Sequence, residues 1–243
     1  MERFRVVGGA RLSGTVKVCG AKNSALKLMA ATLLATGKSK ITNLPQIADV
    51  EYMAELLTRL GCKVEINSTK NEVSIDVPEI LGHRADYDLV RKLRASINVL
   101  GPLITRVGQA EVALPGGDAI GSRGLDFHIN GLTEMGAAIN LEHGFIIANV
   151  KNGLTGTTIN LDFPSVGATE NIMTAATLAK GLTTIDNAAR EPDVVDLGEF
   201  LISMGAKISG LGTHTIKIEG VSKLSKDFIS LSFLVEPTTS DNL

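Results

Sequence analysis

The chain has 243 residues, 44% of them apolar, and a formal net charge of −2, enough to bury a substantial core in one large or two small domains. Near-neutral charge offers no basic field to nucleic acid or anionic lipid, and the absence of tryptophan with only 4% aromatics argues against base-stacking platforms. No apolar run approaches the ~20 residues that span a bilayer, and the start, Met1-Glu-Arg-Phe-Arg-Val-Val-Gly-Gly, lacks the basic and apolar regions of a signal peptide. A cytoplasmic location is expected, with Cys19 and Cys62 as buried reduced thiols rather than metal ligands.

In chain order, one unit recurs three times. Small-residue, apolar helices are predicted over 24–35, 93–105 and 168–180, each ended by a glycine at its C′ position: Gly37, Gly108 and Gly181. A strand with β-branched character follows (40–43, 111–114, 183–186), then a loop and a second helix. The second helix is amphipathic, as in 50–60, where Met53, Leu56, Leu57 and Leu60 fall at helical spacing. Another glycine, Gly61, Gly136 or Gly205, stops it and opens two short strands, such as 63–66 and 72–76. Helices apolar nearly all round must be buried, whereas amphipathic ones face water on one side. The expected fold class is therefore α/β: three αβαββ units in a pseudo-threefold domain, with helices inside and sheets outside.

Spacing singles out the middle unit. Gly37 to Gly61 and Gly181 to Gly205 are each 24 residues apart, but Gly108 to Gly136 are 28 apart. The surplus falls in Leu114-Pro-Gly-Gly-Asp-Ala-Ile-Gly-Ser-Arg123, which joins a mobile backbone to one carboxylate and one guanidinium. Loops added to a repeating scaffold tend to carry function, so Asp118 and Arg123 are the candidate working side chains. Polar residues also mark the starts of the first helices: Lys22, Asn23 and Ser24; Arg91, Lys92 and Arg94; Ser165, Thr169, Glu170 and Asn171. Threefold symmetry would gather these starts on one side, where Lys22, Arg94, Arg123 and free backbone amides suit phosphate or diphosphate. Each residue also has an ordinary reading. Lys22 or Arg94 alone can be solvated surface charge, Ser165 and Thr169 can be helix caps, and Asp118 can cap a turn.

Gly20-Ala-Lys-Asn-Ser-Ala-Leu26, Leu93-Arg-Ala-Ser96, Leu114-Pro-Gly-Gly with Ile120-Gly-Ser-Arg123, Ser165-Val-Gly-Ala-Thr169 and Asn187-Ala-Ala-Arg-Glu-Pro192 together resemble the UDP-N-acetylglucosamine 1-carboxyvinyltransferase family of enolpyruvyl transferases. The sister family of the shikimate pathway opens with a Ser-Lys-Ser type of motif, which Gly-Ala-Lys-Asn does not match. The resemblance implies two domains, each a pseudo-threefold inside-out α/β barrel. Residues 1–21 would be a strand of the far domain and 22–224 the near domain, with repeats at about 22–80, 87–150 and 163–224. Residues 225–243 are expected to be a divergent, disordered tail.

The resemblance further implies transfer of enolpyruvyl from phosphoenolpyruvate to the 3′-hydroxyl of UDP-N-acetylglucosamine in peptidoglycan synthesis. It implies no cofactor or metal, and no nucleic acid, membrane or obligate protein partner. Lys22, Asn23 and Arg123 match positions that hold phosphoenolpyruvate. Arg94, the run Arg123, Gly124, Leu125, Asp126 and Phe127, and the run Phe163, Pro164, Ser165 and Val166 match the nucleotide-sugar site. Asp118 stands where cysteine is usual, as the general acid for the methylene carbon, which implies resistance to the thiol-directed epoxide fosfomycin. Gly124 replaces a common proline, and Phe163 and Ala48 replace common lysines. Family members are roughly twice as long, so the chain is expected to lack most of the far domain and to be inactive alone. The alternative is a non-catalytic remnant that binds UDP-sugar weakly or docks on an intact paralogue.

Overall fold

A computed structural model describes residues 3–5, 7–9, 20–90, 93–114, 124–225 and 229–232. The inner helices are α1 (Lys22–Ala31), which tightens into a 3-10 turn at Thr32–Leu34, and α6 (Val166–Ala176). Between them the middle unit uses a 3-10 helix, Arg94–Val99, running into α4 (Leu100–Arg106). Two of these starts lie two residues earlier than predicted. All three helix-following glycines are left-handed, at φ 106° for Gly37, 81° for Gly108 and 90° for Gly181. Only Gly108 sits directly after its helix cap, Val107; Gly37 and Gly181 come later because their helices end sooner, at Leu34 and Ala176. α1 buries every residue from Ser24 to Ala31 and α6 every residue from Ala168 to Ala176, the polar Lys27, Glu170 and Asn171 included.

The second helices are α2 (Ala48–Arg59), α5 (Asp126–Glu134) and α7 (Pro192–Ser203). They stop identically. The N–H groups of Gly61, Gly136 and Gly205 donate to Thr58, Thr133 and Ile202, and those of the next residues donate to Leu57, Leu132 and Leu201. This is the double-bonded Schellman stop, which requires the left-handed conformation that glycine adopts without penalty. Here φ is 103°, 99° and 100°.

Three four-stranded sheets enclose the helices. The first holds β1 (Gly37–Thr42), β2 (Lys63–Asn67) and β3 (Glu72–Val77). The second holds β5 (Gln109–Ala113), β6 (Ala138–Glu142) and β7 (Phe145–Asn149), and the third β9 (Leu182–Asp186), β10 (Lys207–Ser209) and β11 (Thr215–Glu219). In each, the last-formed strand lies antiparallel between the other two, in equivalent register: Lys38 opposite Asp76, Gln109 opposite Asn149, Leu182 opposite Glu219. Val73, Ile75 and Val77 on β3, like Ile216 and Ile218 on β11, turn inward at period two and are buried.

A fourth strand, absent from the αβαββ reading, pairs in parallel with the first strand of every unit. β4 (Arg84–Ala85), followed by the short α3 (Tyr87–Val90), joins β5; β8 (Thr158–Asn160) joins β9; β12 (Ile229–Ser232) joins β1. Each is too short or too far from its partner in sequence to show a periodic signal. The expectation of a wholly disordered tail from 225 is thereby corrected at 229–232, where the chain completes the sheet of the first unit. No helix among the described residues is long and apolar enough to cross a membrane.

Candidate functional site

A helix start leaves backbone N–H groups unpaired and carries the positive end of the helix dipole. The outer helices neutralise theirs with first-turn carboxylates: Asp49 and Glu51 on α2, Asp126 on α5, Asp193 on α7. The inner starts, on α1, the 3-10 helix Arg94–Val99 and α6, have no acidic residue in the first turn. These starts therefore have no carboxylate of their own against the dipole.

Side chains tie several of these helices to one another. The Lys22 ammonium pairs with Asp49, tying α1 to α2. Ser24 Oγ donates to Asp196 Oδ2 of α7 at 2.6 Å. Lys27 Nζ lies 2.6 Å from Glu170 Oε1 on α6 and 3.6 Å from Asp193 Oδ2 on α7. Asn171 of α6 accepts from the Gly101 N–H at 2.7 Å, donates to the Ile97 carbonyl at 3.1 Å, and lies 3.1 Å from His128 Nδ1 of α5. Thr169 Oγ1 accepts from the Ala189 N–H at 3.1 Å, fixing the loop that leads to α7.

The sequence-selected residues that are described fall at four places. Lys22 and Asn23 open α1 and are exposed, but Lys22 is engaged by Asp49 rather than held in reserve. Arg94 opens the 3-10 helix. Gly124 is exposed, Leu125 caps α5, Asp126 opens it, and Phe127 packs partly on the core. Phe163 is 65% exposed and Pro164 is exposed beside it; Ser165 caps α6 by accepting from the Ala168 N–H, and Val166 opens that helix. The cap reading of Ser165 therefore holds, at a long 3.4 Å. Arg91, Lys92, Asp118 and Arg123 lie outside the described residues.

Sequence reasoning passed over Asp49, Lys27, Asp193 and Asp196. Lys27 gave a usable signal, since a cation within a helix buried on every face requires a partner. That partner, Glu170, is 1% exposed, and burial pushes its carboxyl up from 4.5 to about 7 against the opposing pull of Lys27, with Asp193 and Glu191 adding to the rise. A separate cavity of about 340 Å³ lies between the 44–51 segment and the β2–β3 hairpin. Ala48 lines it; none of the sequence-selected anion ligands does. Among the described residues no cluster of His, Cys, Asp and Glu could hold a metal ion.

Comparison with known proteins bears on this arrangement. The family model described as EPSP synthase (3-phosphoshikimate 1-carboxyvinyltransferase) matches residues 6–240. Relatives named UDP-N-acetylglucosamine 1-carboxyvinyltransferase include those of Corynebacterium jeikeium, 57% identical over 224 residues, and Mycobacterium leprae, 57% identical over 223. A third, from Staphylococcus aureus, is 52% identical over 225 residues. Each alignment covers 92% of this chain but 53% of the relative, so the chain spans about half the length of the curated relatives it matches. In fold, it resembles the enolpyruvyl transferase NikO from Streptomyces tendae, with TM-score 0.81 at 24% identity over 93% of this chain and 53% of that one. It also resembles an EPSP synthase from Acinetobacter baumannii, with TM-score 0.71 at 19% identity over 90% and 49%.

Proposed function

The chain belongs to the EPSP synthase (3-phosphoshikimate 1-carboxyvinyltransferase) family, and from that premise we propose that it forms one wall of an enzyme moving the enolpyruvyl group of phosphoenolpyruvate onto the 3′-hydroxyl of UDP-N-acetylglucosamine. The choice of UDP-sugar over shikimate 3-phosphate rests on the relatives of 52–57% identity. The observation that supports the anion-binding part is that the inner helix starts have no first-turn acids.

The phosphate of phosphoenolpyruvate would sit at the start of α1 against Lys22 and Asn23, with Arg123 reaching it from the middle loop. The sugar nucleotide would lie across Arg94, the 123–127 run and the α6 start at 163–166, its diphosphate on the amides there. Asp118 would give a proton to the methylene carbon while the sugar hydroxyl adds to the adjacent carbon. Expulsion of phosphate and return of a proton then restore the double bond. A carboxyl suits this role when closure removes water and raises its pKa above the ~3.9 of free aspartate. That closure needs the half of the fold that this chain does not span. The Asp49 carboxylate must also yield Lys22 to the incoming phosphate.

Calorimetry with UDP-N-acetylglucosamine and shikimate 3-phosphate tests the substrate class. Binding of the first, weakened at least tenfold by Arg94→Ala, is expected; preference for the second would overturn the reading. Phosphate release is expected once the other half of the fold is supplied. Binding without turnover under that condition would favour a non-catalytic sugar-nucleotide binder.

A further inference from the structure

We propose that Lys27 and Glu170 are a positioning pair that locks the start of α1 to the start of α6, so that the two anion-binding turns keep a fixed separation. The proposal rests on the function proposed above for the meaning of those turns, but not for its geometry.

Helix spacing places the pair. Lys27 is four residues after Asn23 on α1, and Glu170 is four residues after Val166 on α6. Residues four apart share a helix face, so each member lies one turn beneath a turn that faces the candidate site. The main packing partners of α1 are α2, α7 and the 3-10 helix Arg94–Val99; those of α6 are α4, α5 and α7. The 2.6 Å contact of Lys27 Nζ with Glu170 Oε1 is thus a direct tie between two helices that are not among each other's main packing partners.

Burial makes the tie consequential. Both side chains are at least nine-tenths removed from solvent, at 10% and 1% exposure. Neither Glu170 oxygen receives a well-aligned hydrogen bond among the described residues, so the ammonium is what offsets the desolvated carboxylate. Asp193 of α7 and Glu191 before it oppose ionisation from one side. From the other, His128 of α5 meets the next residue, Asn171. Breaking a buried pair by removing one partner leaves an uncompensated group, whereas replacing both by apolar residues of similar volume is often tolerated. A purely structural pair would therefore be dispensable as a pair; a positioning pair would not.

Amide NMR of the whole chain between pH 5 and 9 tests this without substrate. As Glu170 titrates near 7, amides 22–24 and 166–168 are expected to shift with one shared midpoint, and Glu170→Gln should abolish the response at both starts. The double variant Lys27→Met, Glu170→Met is expected to fold, yet to lose at least fivefold of any mutual enhancement between phosphoenolpyruvate and UDP-N-acetylglucosamine binding. Persistence of the α1 response in Glu170→Gln, or its absence in the unmodified chain, overturns the proposal. An unmodified chain that binds neither ligand overturns the proposed function instead, and the NMR comparison still decides the pair.

Discussion

The Lys22 ammonium is more than half exposed, so its pairing with Asp49 is a competitor for substrate rather than a source of stability. Exposed pairs of this kind are worth about 0.2–1 kcal/mol. Asp49→Asn is therefore expected to tighten phosphoenolpyruvate binding by at most about fivefold, measured by calorimetry; weaker binding would show that Asp49 orients Lys22 productively. Asp118 carries a second prediction. A carboxylate cannot form the thioether by which fosfomycin captures a thiol, so mass spectrometry of the protein with both halves of the fold present should show no adduct. Asp118→Cys should gain one; an adduct on the unmodified protein would contradict the role given to Asp118. Lys22 and Asp118 were legible in the sequence as polar groups at special positions. The Asp49 pairing was not, because nothing local ties the second residue of α2 to the first of α1.

Among the elements, the glycine stops of the second helices were legible, whereas among the inner helices only Gly108 directly follows its helix cap. Gly136 has φ 99° and open space where a Cβ would lie, so Gly136→Ala should lose about 1–2 kcal/mol from the left-handed backbone alone. At Gly101 a Cβ would come within 2.5 Å of Asn171 Oδ1 and 2.6 Å of its carbonyl oxygen. Gly101→Ala must push α4 away from α6 and break the Asn171 bridge, at about 2–3 kcal/mol or more. Urea unfolding should place Gly101→Ala below Gly136→Ala in stability, and the reverse order would contradict this packing. Element length was less legible. Spacing put four surplus residues in the middle unit, but α5 has nine residues where α2 and α7 have twelve. The connection there runs from 114 to 125, against 43–47 and 187–191 in its counterparts. A turn of helix was given up to the loop, and glycine-to-glycine spacing cannot see that exchange. The 3-10 start at Arg94 was likewise hidden, because apolar periodicity does not separate it from α-helix over six residues.

For the molecule as a whole, two properties follow from contacts between distant units. Burial raises the Glu170 carboxyl from 4.5 to about 7, so between those values the folded chain holds a proton that the unfolded chain has released. Stability should then fall as pH rises from about 4.5 to about 7 and level off above, and Glu170→Gln should flatten that slope. A slope unchanged in the variant would assign it to other groups. The second property concerns β12, which pairs along the outer edge of β1 through Ser39 to Thr42. Ending the chain at residue 225 should expose that edge, and hydrogen exchange at β1 should quicken more than at β5 or β9, whose parallel neighbours remain. Equal protection in all three would mean that β12 contributes nothing to the first sheet. The sequence by itself determined the threefold repeat, the buried inner helices, the stops of the second helices and the longer middle connection, because periodicity and glycine conformation are local properties of the chain. Only the tertiary structure decided which carboxylate meets which cation, and which strand completes which sheet. Ser24 reaches Asp196 across 172 residues, and no propensity of either segment encodes a partner that only the closed ring of three units brings near.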